Sequence, residues 1–116
     1  MMNNRIIILG ASGNPERNSY LAGKLLEMRG YRTIAVPFSA KGDQIKESLY
    51  STADTVSIFL TPGQQKKFYT FLMELKPRRL VFNPGTENEE LIALARSRNI
   101  QVIRGCTIAM LVNSLW

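Results

Sequence analysis

The residues that could do chemistry in this chain stand at turns. Gly10-Ala11-Ser12-Gly13 closes an apolar run, and Asn14, Arg17 and Ser19 follow it. Glycines and small residues at such a turn let the backbone bend sharply and come close to a ligand. A helix that starts there points its free N–H groups and positive dipole end at the turn, which makes an anion site. Arg17 adds a planar fork suited to phosphate oxygens, and Ser12 and Ser19 add hydroxyl donors. The chemistry implied is phosphate recognition. Each residue also has a plain use: the glycines and Asn14 shape the turn, Ser12 makes a local turn bond, and Asn18 or Ser19 caps the helix.

Bond-making chemistry has few candidates. The chain has no histidine and one cysteine, Cys106. This removes Ser-His and Cys-His nucleophilic pairs, His-ligated metals, an internal disulfide and a Cys-only metal site. Cys106 has no identified base beside it, so a structural thiol is the expectation. No metal site is expected.

The elements that must hold these turns follow from periodicity. Ile6-Ile7-Ile8-Leu9 is an uninterrupted apolar run, the signature of a strand buried on both faces of a parallel sheet. Residues 19–29 read as a helix, with Leu21, Leu25 and Met28 on one stripe and Gly30 as its stop. Residues 32–36 form the second strand, ended by Pro37. A short helix is expected over 44–50, and a third strand over 55–60. Thr61, Pro62 and Gln64 make a capping box with proline at the first helical position. The stripe Phe68, Phe71, Leu72 and Leu75 continues that helix to Pro77, and the two phenylalanines read as core. Residues 79–82 form the fourth strand. Thr86 and Glu89 suggest a second capping box, with a helix to about Arg98. Residues 100–104 form the fifth strand, and the apolar tail 107–116 is ambiguous.

Strands alternating with helices imply parallel strands joined by right-handed crossovers. The expectation is an α/β fold: one Rossmann-like doubly wound parallel sheet of five strands, order 3-2-1-4-5, in a single domain over residues 1–116. Ligands bind such sheets beyond the carboxyl ends of the strands, where the order reverses. The candidate crevice is therefore lined by residues 10–19, 37–43, 60–63 and 83–86. Besides the first turn it holds Pro37 and Lys41 after the second strand, Thr61 and Pro62 after the third, and Asn83 and Gly85 after the fourth. Lys41 lies where a phosphate on a ribose would sit, and Pro37 with Phe38 where an adenine would.

The formal net charge of +6 comes from scattered lysines and arginines. With no basic run and no aromatic interleaving, it reads as a solvated surface, and nucleic acid is not an expected partner. No apolar run approaches the ~20 residues that cross a bilayer, and the first residues lack a signal-peptide core. A cytoplasmic protein is expected, with no membrane partner.

The turn does not fit the usual nucleotide motifs. Gly10-Ala11-Ser12-Gly13-Asn14-Pro15 is not G-x-G-x-x-G, and Ala35-Val36-Pro37-Phe38-Ser39 offers no acid for a ribose. An NAD site is disfavoured, and a P-loop is absent. The Gly10-Ala11-Ser12 turn with Asn14-Pro15 and Arg17 instead resembles the opening of the coenzyme A-binding protein family. That family is related to the nucleotide-binding domain of the succinyl-CoA synthetase alpha subunit. The resemblance continues at Leu25-Leu26-Glu27-Met28-Arg29-Gly30-Tyr31, Phe59-Leu60-Thr61-Pro62, Phe82-Asn83-Pro84-Gly85-Thr86-Glu87-Asn88-Glu89 and Arg104-Gly105-Cys106-Thr107. It covers nearly the whole chain in order. The chain departs from it after the second strand, where the family's Val-Asn-Pro is Val36-Pro37-Phe38, and in the short segment that follows. The active-site histidine of the synthetase has no counterpart.

The resemblance implies a non-catalytic domain that binds coenzyme A or an acyl-CoA. It also implies that ligand contacts lie among Gly10, Ala11, Ser12, Gly13, Asn14, Arg17, Ser19, Pro37, Lys41, Thr61, Pro62, Asn83 and Gly85. Two other classes remain open on the residues. One is a nucleotide (NAD(P))-dependent Rossmann enzyme using Cys106, Lys41 or Tyr20. The other is a protein-interaction module that has lost the ligand. Leu115 and Trp116 either fold onto the core or meet a second copy in a homodimer.

Overall fold

The computed structural model describes residues 4–41 and 53–116. Five parallel strands form one sheet: β1 (Arg5–Leu9), β2 (Arg32–Val36), β3 (Thr55–Ile58), β4 (Arg79–Phe82) and β5 (Gln101–Arg104). The connecting helices are α1 (Asn18–Met28), α2 (Pro62–Gln65), α3 (Tyr69–Leu75), α4 (Glu89–Ser97) and α5 (Thr107–Val112). The expected α/β architecture is present. The short helix expected over 44–50 lies outside the described residues.

The strand order is β2-β1-β3-β4-β5, and this corrects the expected 3-2-1-4-5. Every residue of β3 is buried, as an interior strand between β1 and β4 requires. β2 carries the weaker apolar sequence, leaves Arg32 and Ala35 exposed, and takes the edge. Alternation fixes the hand of a crossover but not the direction in which the chain steps. The second crossover steps back over β1 instead of outward past β2. The order therefore reverses between β1 and β3, which moves the expected crevice to that junction.

Alternating side chains divide the core between the faces. Ile7, Leu9, Val56, Ile58, Leu80 and Phe82 pack with Phe68, Leu72, Leu91, Ile92 and Ala95 in the larger cluster. Ile6 and Ile8 pack with Leu26 and Leu111 in the smaller one. The tail is no longer ambiguous. It forms α5 and folds back, so that Trp116 lies under the Arg79 guanidinium at 4.2 Å and meets Tyr31 edge-on at 6.5 Å. Arg29 ties α5 down through a 2.8 Å bond to the Leu111 carbonyl.

Two helix expectations need correction. The helix after β3 is not continuous: a 3₁₀ turn, Lys66–Phe68, separates α2 from α3. Phe68 is buried at that turn, whereas Phe71 is only partly buried. The cap of α4 is Asn88, whose Oδ1 accepts from the amides of Glu90 and Leu91. Thr86 instead closes the preceding turn by donating to the Asn83 carbonyl at 2.7 Å.

Candidate functional site

The site begins where β1 stops. Gly10 turns with φ +91°, and its amide and that of Ala11 both donate to the Val36 carbonyl, at 2.7 and 3.2 Å. The chain is thereby swung across the end of β2. Two local bonds then shape the loop. Asn14 N donates to Ser12 Oγ at 3.1 Å, and Glu16 N donates to Asn14 Oδ1 at 3.0 Å. Ser12 and Asn14 thus do the turn-shaping expected of them.

The loop delivers the chain to α1 through Arg17, which occupies the cap position in extended conformation and makes no capping side-chain bond. This corrects the expectation that Asn18 or Ser19 caps the helix. The consequence is chemical. The amides of Tyr20 and Leu21 return to the Arg17 carbonyl, but those of Ser12, Gly13, Asn18 and Ser19 make no hydrogen bond among the described residues. Such orphan first-turn donors attract anions.

Cavities open on either side of this turn. One, of about 390 Å³, lies at the β1/β3 reversal and is lined by Gly10, Ala11, Ser12, Arg17, Asn18, Ser19, Phe38, Phe59, Leu60 and Gln64. The other, of about 350 Å³, runs between α1 and β2 over Ile8, Ala11, Gly13, Tyr20, Gly23 and Pro37 toward Glu27 and Thr33. Ala11, Ser12 and Ser19 belong to both. The fold therefore brings Gly10, Ala11, Ser12, Gly13, Arg17, Ser19 and Pro37 together. The Arg17 side chain is exposed and forms no ion pair among the described residues.

The other expected positions line neither cavity. Asn14 stays in the turn, and Lys41 is exposed. Thr61 and Pro62 start α2, with Gln64 Oε1 accepting from Thr61 N at 3.1 Å. Asn83 is 3% exposed and spends its side chain inside the protein. It donates to Ser57 Oγ and the Ile58 carbonyl, and accepts from Thr107 N. Gly85 turns with φ +88°, and its amide is taken by the Glu87 carboxylate at 3.1 Å.

Leu60, from the expected segment 60–63, lines the larger cavity, and Phe59, Gln64 and Gly23 are cavity residues outside the expected segments. Gln65, also outside the expected segments, supports the walls without lining them. It is fully buried, and its Nε2 donates to the carbonyls of Leu60 and Thr86, both at 2.8 Å. One amide thus fastens the loop after β3 to the loop after β4. Its Oε1 accepts from Asn88, which also donates to Tyr69 Oη. Burial raises the Tyr69 phenol above its ordinary pKa.

Among the described residues, no group of acidic, cysteine or histidine side chains could hold a metal ion. The arrangement can bind an anion with backbone amides and enclose an attached organic group.

A crystal structure of an uncharacterized protein is 34% identical, covers 100% of both chains and superposes with a TM-score of 0.86. A Thermus thermophilus protein is 19% identical over 98% of this chain and 91% of its own, with a TM-score of 0.80. A hypothetical protein from Pyrococcus horikoshii OT3 is 18% identical over 97% of this chain and 84% of its own, also at 0.80. At those identities the last two share the fold. No curated protein matches the chain. The sequence profile described as a CoA binding domain matches residues 4–112, and the chain belongs to that family.

Proposed function

We propose that the protein binds coenzyme A or an acyl-CoA at the turn between β1 and α1 and carries out no chemistry of its own. The observation that supports this most is the uncapped start of α1. The amides of Ser12, Gly13, Asn18 and Ser19 have no partner among the described residues, beside a cavity of about 390 Å³. In this reading they receive the pyrophosphate, and Arg17 closes on it from the rim. Gly10 and Ala11 let the backbone approach, and Pro37 walls the neighbouring cavity. Asn14, Thr61, Pro62, Asn83 and Gly85 hold the surrounding loops, and Lys41 contributes positive charge at a distance.

The reading takes the protein as a cytoplasmic small-molecule binder that uses neither nucleic acid nor membrane. No helix among the described residues is long and apolar enough to cross a membrane. It also includes a homodimer through the tail, formed by Val112 and Leu115, which are 65% and 71% exposed, because Trp116 is already engaged within its own chain.

Thermal unfolding with CoA, acetyl-CoA, NAD, NADP, ATP and FMN tests the reading. A ligand at ~100 times its Kd adds about 2.7 kcal/mol, or roughly 10 °C in Tm for a chain of this size. The CoA compounds should produce the shift, and Arg17→Ala should weaken binding about fivefold without lowering the unliganded Tm. A shift with NAD and none with CoA overturns the proposal.

A further inference from the structure

A 3₁₀ turn, Lys66–Phe68, joins the four-residue α2 to α3. The turn buries Phe68 and carries Lys67 toward the exit of β2. The Lys67 ammonium stands 4.1 Å above the Phe38 ring centre and 5.1 Å from that of Phe68. It therefore rests on aromatic faces. It forms no ion pair among the described residues.

Phe38 is itself a cavity wall, and it is 44% exposed. It follows the carboxyl end of β2, the place in such a sheet where the ribose end of a nucleotide lies. An exposed ring there offers a stacking surface for a base. The ammonium beside it offers a charge to a phosphate on the attached ribose. Arg17 and the open amides of Ser12, Asn18 and Ser19 lie in the same cavity.

Resting on the coenzyme A reading, we infer that Lys67 and Phe38 together read the 3′-phosphoadenosine end. Phe38 stacks the base and Lys67 pairs with the 3′-phosphate. Lys67 is thus the residue that separates coenzyme A from its dephospho form. It stands on the 3₁₀ turn between α2 and α3 and reaches the ligand from the β3 side.

The test is a set of affinities for coenzyme A and 3′-dephospho-coenzyme A, measured by titration calorimetry at low and moderate salt. Wild-type protein should prefer coenzyme A by about fivefold, and the preference should shrink as salt rises. Lys67→Gln keeps the stem over the rings and removes the charge, and it should bring the ratio to about one. Lys67→Arg should restore it. Lys66→Gln, a neighbouring charge change, should leave it intact. Phe38→Ala should weaken both ligands together. Persistence of the preference in Lys67→Gln overturns the inference. So does a wild-type protein that binds both ligands equally, which leaves the coenzyme A site standing. Failure of both ligands to bind overturns the inference and the coenzyme A reading together.

Discussion

Gly10 and Leu60 are fitted so closely that a Cβ on Gly10 would stand 2.8 Å from Leu60 Cδ2 and 2.9 Å from its Cγ. The Phe59 carbonyl carbon would be 3.1 Å away, and φ at Gly10 is +91°. Both facts exclude a side chain here. The first turn of the site is therefore shaped by the end of the neighbouring interior strand as well as by its own sequence. Gly10→Ala should cost about 3 kcal/mol, part backbone strain and part overpacking. Leu60→Ala removes the two nearest obstructing atoms but neither the Phe59 carbonyl carbon nor the strain. In the double mutant the cost of Gly10→Ala should fall by about 1 kcal/mol or more, measured as a cycle of urea midpoints. Additive losses would mean that the contact is not what excludes the side chain.

Much of this was legible in the sequence, and the failures have a common origin. The apolar runs of β1 and β4 and the turn at Gly10 rest on local signals, and they were read correctly. The strand order depends on whether the chain steps outward past β2 or back across β1. The weak apolar character of residues 32–36 hints at an edge strand, but the choice is seen only in the complete burial of β3. The α1 cap was misread because Ser19 is a good capping residue that the loop bonds of Ser12 and Asn14 place inside the helix, leaving Arg17 at the cap. Asn83 looked like a pocket residue because it follows a strand end. Its partners, Ser57 and Thr107, are remote in sequence. The tail became readable only through Arg79, a buried strand arginine that donates to Thr55 Oγ1 at 2.8 Å and covers Trp116.

Gln65 was missed for the same reason. It reads as one more polar residue of an amphipathic helix, and its work is done on two distant carbonyls. Gln65→Leu should orphan the Leu60 and Thr86 carbonyls and remove one acceptor from Asn88. The expected loss is about 2–4 kcal/mol, read from chemical denaturation. Hydrogen exchange should quicken in the loops after β3 and β4 while β1 keeps its protection relative to the new global stability. A variant within about 0.5 kcal/mol of wild type would show that the loops hold without the bridge.

At the amino ends of the strands, opposite the site, Asp54 precedes β3 and Arg78 precedes β4. The Arg78 Nε and Nη2 donate to the two Asp54 carboxylate oxygens at 2.7 and 2.9 Å, and Thr55 Oγ1 adds a 2.7 Å bond. The Arg78 guanidinium above all, with help from Thr55, holds the Asp54 carboxyl below its ordinary pKa against the opposing push of partial burial. A carboxyl whose folded pKa is depressed binds fewer protons in the native state. Its contribution is present above the unfolded pKa of about 3.9 and is lost as pH falls through the lower folded value. The Arg78 side chain is 59% exposed, so the pair itself is worth no more than about 1 kcal/mol. Asp54→Asn should therefore be less stable than wild type at pH 7, and the gap should close as pH falls from neutrality to below the ordinary carboxylate value of about 3.9. High salt should narrow it at neutral pH. Urea midpoints of both proteins across that range test this. A gap unchanged in acid would assign the loss to the altered side-chain hydrogen bonds with Arg78 and Thr55 rather than to the carboxylate's charge.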